Sequence, residues 1–155
     1  MNPAHLHTRL VRSEKLASAR QAGIDRGFID RLVEQFYARV RLDPLIGPVF
    51  AARISDWPPH LARMKQFWTA ILTGETVFSG SPMALHQAIP GIEAAHFDRW
   101  LDLFNQTLRD LEGNPAATAL VGAKARTIAD SLLTGIRIHR DGRKDIQAMK
   151  GLNHA

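Results

Sequence analysis

SPMALHQAIP, Ser81 to Pro90, places a histidine inside a helix too short to stand alone. The Ser81 hydroxyl can cap a helix N-terminus, and Pro82 fits the first helical position, where its missing N–H costs nothing. Pro90 disfavours helical geometry at Ile89, which leaves about two turns. Two turns are marginal in isolation and need a surface to pack against. The fold is decided by what His86 meets there.

Outward from this segment, helical periodicity runs almost everywhere and strand alternation is not convincing anywhere. Upstream, a connector from Glu75 to Gly80 follows a helix that Asp56 should cap and Gly74 should end. Its inward positions are Trp57, His60, Leu61, Met64, Phe67, Trp68, Ile71 and Leu72. Further back, DPLIGPVF from Asp43 to Phe50 must turn tightly. Before it, residues 26 to 41 put Phe28, Leu32, Phe36 and Val40 on one ridge and Ile29, Val33 and Tyr37 on the next, with Asp25 as the cap. Downstream, Phe97, Trp100, Leu101, Phe104, Leu108 and Leu111 form one stripe. Asn114-Pro115 then opens a last helix with Val121, Ala125, Ile128, Leu132 and Ile136 inward.

The architecture read from these patterns is all-α, a single domain over residues 26–140. Residues 1–25 read as an exposed N-terminal extension and residues 141–155 as a polar, frayed C-terminal tail, with two readings open for these ends: helices that cap the domain, or tails that dock a partner. A chain of 155 residues with 45% hydrophobic content can bury one core. It has no cysteine, which removes disulfides, thiolate metal sites and thiol nucleophiles, and fits a reducing compartment. No apolar run reaches the roughly 20 residues of a membrane span, and the N-terminus has no signal-like apolar region. The expected location is therefore cytoplasmic. The net charge of +5 sits in the ends: residues 1–26 and residues 137–155 each carry five bases against two acids, whereas residues 27–136 carry ten bases and eleven acids. The folded part has no basic excess, which argues against nucleic acid as the partner.

Spacing excludes several chemistries. Glu93-x-x-His96 has the spacing of a di-iron carboxylate half-site, but it occurs once, and the pair reads as a surface Glu and His in a first helical turn. Phosphate-binding glycine loops, a Gly-x-Ser-x-Gly elbow and HExxH are absent. What remains is a set of polar or aromatic residues on apolar helix faces. His60 shares a stripe with Met64 and Phe67, Tyr37 is the only tyrosine of the chain and falls on an inner face, and Trp100 sits mid-stripe. Singly, each also reads as a core residue with one hydrogen-bond partner.

The strings FYARVRLDPLIGPVF, WPPHLARMKQFW, SGSPMALHQAIP and HFDRWLDLFNQTL, in this order and at these separations, resemble a group III truncated haemoglobin over about residues 27–139. The absence of Gly-Gly pairs agrees with that group. The resemblance implies a globin-like, truncated 2-over-2 helical sandwich around a haem b. It makes His86 the proximal iron ligand, Tyr37 and Trp100 distal hydrogen-bond donors, and His60 the distal histidine at the pocket entrance. By the same likeness Met64, one turn on from His60, faces the iron beside it, Phe50 wedges the haem edge, Arg63 reaches a propionate, and Phe67 is a further haem-binding residue.

The expected ligands are diatomic gases (O2, CO, NO) or peroxide, with electrons from a reductase the sequence does not identify. Donors aimed at a bound ligand slow its release, so redox chemistry of O2, NO or peroxide is expected over oxygen storage, with nitric-oxide dioxygenation and peroxidase-like turnover as the catalytic options. Two other classes stay open at this stage: a haem-based gas sensor or carrier without turnover, and a helical adaptor or nucleic-acid-binding module that works through its basic ends.

Overall fold

The computed structural model describes residues 3–152, and of His5 and residues 143–152 the backbone alone. Seven α-helices and no strand occur among the described residues: α1 Pro3–Gln21, α2 Arg26–Leu42, α3 Gly47–Ala51, α4 Trp57–Thr73, α5 Pro82–Gln87, α6 Ala94–Asp110 and α7 Pro115–Leu152. Their boundaries follow local chemistry. The Asp25 carboxylate accepts from the Phe28 N–H at 2.8 Å at the start of α2. The Ser81 hydroxyl accepts from the Ala84 N–H at 3.3 Å, with Pro82 opening α5. Gly74 ends α4 in the left-handed conformation, φ 77°. Asp56 does stand at the N-cap of α4, but its side chain makes no capping bond, and Pro58 in the first turn removes one of the N–H groups that would need one.

The core is built from two packed pairs, α2 with α4 and α6 with α7, joined where α2 crosses α6. Phe36 and Phe104, both fully buried, meet at this crossing with ring centroids 5.1 Å apart. Trp68 and Trp100 both stack on Phe104, at 5.1 and 5.2 Å, so aromatic rings from α2, α4 and α6 make one block. Polar clasps lie beside it. The buried Asp43 carboxylate takes the N–H groups of Leu45 and Ile46 through Oδ2 and Arg99 Nε through Oδ1 at 2.6 Å, fixing the turn after α2 onto α6. Arg39 on α2 pairs with Asp110 at the far end of α6.

Both ends are helical where they are described. Within the N-terminal extension α1 packs on α4, and Ala19 of α1 is buried, as are Ala22 and Ile24 just after it. After Arg140, α7 runs on through polar sequence to Leu152, across Gly142 and Gly151, the two residues of low helix propensity there. Residues 153–155 of that tail lie outside the described residues. No described helix is long and apolar enough to cross a membrane.

Candidate functional site

Between the helix pairs lies a cavity of ≈ 420 Å³, within the range of small-molecule sites. It is lined by Tyr37, Phe50, His60, Arg63, Met64, Phe67, His86 and Trp100, so all eight residues singled out in the sequence reach one place. Tyr37 comes from α2, Phe50 from α3, the next four from α4, His86 from α5 and Trp100 from α6. Apolar side chains dominate the rest of the wall, including Ile128, Ala129 and Leu132 of α7.

Part of the wall is a cluster of polar and aromatic side chains. Tyr37 is buried in a cage of rings, with centroids 5.0 Å from Phe36, 5.8 Å from Phe50, 5.9 Å from Trp57 and 5.2 Å from His60. Burial pushes the Tyr37 pKa well up and keeps the hydroxyl a proton donor. Neither this hydroxyl nor the Trp100 indole N–H has a protein partner among the described residues. His60 stands edge-on to Tyr37 and Trp57, and its Nε2 is buried without a hydrogen bond. Burial, and secondly the charge of Arg63, lowers the His60 pKa and favours the neutral ring. A buried polar atom without a partner is costly unless something in the cavity supplies one.

His86, also in the wall, has its Nδ1 2.6 Å from the Pro82 carbonyl oxygen. A carbonyl only accepts, so Nδ1 carries the proton and Nε2 keeps its lone pair for a metal. This backbone bond is the usual outer support of a ligating histidine. Among the described residues no group of three His, Cys, Asp or Glu could hold a metal by itself. The arrangement therefore suits a metal that brings most of its own ligands. One imidazole with a free Nε2, a largely apolar chamber and donors that have no partner among the described residues fit a haem.

Arg63 reaches the rim, but its guanidinium is engaged: Nη2 donates to the Ser79 carbonyl at 2.9 Å and the group lies 4.7 Å from the Phe78 ring centroid. It thereby ties α4 to the connector that leads to His86. His96 is a lining residue that sequence reasoning set aside as a surface group. Its Nδ1 accepts from the Glu93 N–H at 3.0 Å in a capping box. It stands four residues before Trp100, on the same face, and that spacing was the available signal. Arg53 and Phe78 also line the cavity, from a turn and a connector where no periodicity marks them.

Comparison with known proteins gives the same answer. Residues 21–129 match the family model of the bacterial-like globins. The group 3 truncated hemoglobin of Campylobacter jejuni is 35% identical over 89 residues, spanning 55% of this chain and 70% of that protein. The crystal structure of the group III truncated hemoglobin from Campylobacter jejuni aligns with a TM-score of 0.69 at 30% identity, covering 73% of this chain and 91% of that one. The chain belongs to the bacterial-like globins, as a haem-binding globin of the group III truncated haemoglobins.

Proposed function

We propose that the protein holds one haem b through His86 Nε2 and works in redox chemistry of O2, NO or peroxide rather than in oxygen storage. The observation that carries this reading is that one cavity is lined by two donors without a partner among the described residues, the Tyr37 hydroxyl and the Trp100 N–H, and by a tautomer-fixed histidine. Haem, when bound, supplies an iron that takes diatomic ligands and exchanges electrons.

The chain's own residues do the rest. The Pro82 carbonyl orients His86 and leaves its lone pair toward the cavity. Tyr37 and Trp100 donate hydrogen bonds to a ligand that carries negative charge, each contributing about 1.5 to 3 kcal/mol when the acceptor is charged. Such fixed donors stabilise charge that develops on the outer atom and oppose release of the neutral ligand. His60, neutral and unpaired at Nε2, stands where it can accept or pass a proton. Met64, Phe67 and Phe50 exclude water around the ligand. Arg63 has further N–H groups for a propionate beside its bond to Ser79. An external reductase supplies electrons, and the proposed setting is the cytoplasm.

The first test is the visible spectrum of the purified protein, before and after dithionite and carbon monoxide, for the wild type and His86→Gly. Loss of the haem bands in the variant, with partial return on adding imidazole, is expected. The functional test mixes the reduced, oxygen-equilibrated protein with nitric oxide, and the oxidised protein with peroxide and an electron donor. Rapid formation of nitrate supports dioxygenation, and sustained oxidation of the donor supports peroxidase work. Fast, reversible oxygen exchange with neither reaction would make the protein a carrier or sensor.

A further inference from the structure

The helix that carries His86 is fastened to α7 from both sides of the histidine. Three residues before it, the Met83 side chain lies against Gly135: a Cβ at that position would stand 2.3 Å from Met83 Sδ and 2.6 Å from Cε. One residue after it, Gln87 Nε2 donates to the Gly135 carbonyl oxygen at 3.2 Å. Both contacts converge on one residue of α7. Gly135 lies inside a long helix, where glycine is a poor choice for helix formation, and it is not at a positive φ. What the missing side chain provides is room.

The rest of α5 has little else to locate it. Its six residues include none that is fully buried, and its cap is a single 3.3 Å bond from Ala84 N–H to Ser81. On α7, Ile128, Leu132 and Gly135 follow at i, i+4 and i+7, so the ridge that lines the cavity continues directly into the place where α5 docks. His86 is in turn tied by Nδ1 to Pro82 in the first turn of α5. The position of the imidazole is thus referred, link by link, to the frame of α7.

We infer that Gly135 is a positioning residue for His86: by seating Met83 and Gln87 it sets where the imidazole Nε2 stands relative to the cavity, independently of any bound group. This rests on the reading of His86 as the axial ligand. A side chain at 135 displaces α5 while improving the intrinsic helix propensity of α7, so its effect on the site and its effect on helix stability run in opposite directions. The end of Met83 is flexible and can swing away from a single methyl, which makes Gly135→Ala the mild variant and Gly135→Leu the decisive one.

The test uses the haem-loaded full chain. Resonance Raman spectra of the reduced, ligand-free protein read the iron–histidine stretching band, and transfer to excess apomyoglobin reads haem loss. Gly135→Leu should shift or broaden the band and speed haem loss about tenfold or more, the scale seen when an outer support of a metal ligand is removed. Adding Met83→Ala to Gly135→Leu makes space again and should move both readouts back toward the wild type. Gln87→Leu should shift the band with α7 untouched, and it carries the test if Gly135→Leu does not fold. A folded Gly135→Leu protein with an unmoved band and haem loss within about twofold of the wild type would overturn the inference. Failure of the underlying reading looks different: the band would survive His86→Gly, or be absent from the wild type.

Discussion

Tyr37 is enclosed by aromatic rings, yet its hydroxyl finds no partner among the described residues. That combination is the residue-scale argument for ligand stabilisation. Tyr37→Phe should raise the oxygen dissociation rate about tenfold or more, since one charge-assisted bond of about 1.5 to 3 kcal/mol is lost, and Trp100→Phe should act in the same direction. Flash photolysis with oxygen replacement checks both. Effects below about twofold would mean that neither group touches the ligand. Asp43 makes a separate prediction. Burial alone would raise its pKa, but the Ile46 N–H, Arg99 and the Leu45 N–H outweigh it and hold the carboxyl below the usual aspartate range. A carboxyl depressed in the folded state adds stability above its unfolded pKa, about 3.9, and that stability is lost as the pH falls through the folded value. Asp43→Asn should therefore cost about 1.5 kcal/mol at neutral pH and flatten the acid limb below about pH 4, read by urea unfolding at several pH values.

Among the elements, α2 and α4 look alike in sequence at their starts, each led by an aspartate, and differ in the structure. Asp25 caps α2 with a 2.8 Å bond, and Asp56 caps nothing through its side chain. Asp25→Ala should cost about 1 kcal/mol and Asp56→Ala close to none, both measured by chemical denaturation. The sequence separates such cases poorly, because a capping residue type declares a helix start without declaring the bond. Strong apolar periodicity made α2, α4, α6 and the core half of α7 legible, and the Ser-Pro start and Pro90 bounded α5. The helix α1 was hidden because its buried residue is Ala19, which adds almost nothing to a hydrophobic pattern, while Leu6 and Leu10 stay exposed. The continuation of α7 was hidden for the opposite reason, since polarity reads as a tail even where no residue stops the helix.

At the scale of the molecule, the candidate site is a place where four long helices, two short ones and a connector meet, and its membership was legible only in part. Residues on helix stripes, such as Tyr37, His60 and Trp100, could be found from spacing. Arg53, Phe78 and His96 depend on how a turn, a connector and a helix cap are folded, and the Met83–Gly135 seat depends on a contact between segments about fifty residues apart in sequence. The cavity itself has a thermodynamic consequence. Its walls are largely apolar, so emptying it exposes surface that the loaded protein covers. Removing haem should lower the midpoint of thermal unfolding, and adding it back should raise the midpoint further with each increase in free haem, by mass action. A calorimetric midpoint indifferent to haem would contradict this.

One last property comes from Tyr37 being both buried and the only tyrosine in the chain. Phenolate absorbs in the ultraviolet where phenol does not, so an alkaline titration of this protein carries a single optical signal, and that signal belongs to one side chain. In an unfolded chain the phenol ionises near pH 10. In the folded protein burial holds it protonated above that value, so the native state keeps a proton that the unfolded state gives up, and stability falls as the pH rises past about 10. Phenolate should therefore appear in step with the loss of helical circular dichroism rather than ahead of it, making the distal hydroxyl a built-in reporter of its own enclosure.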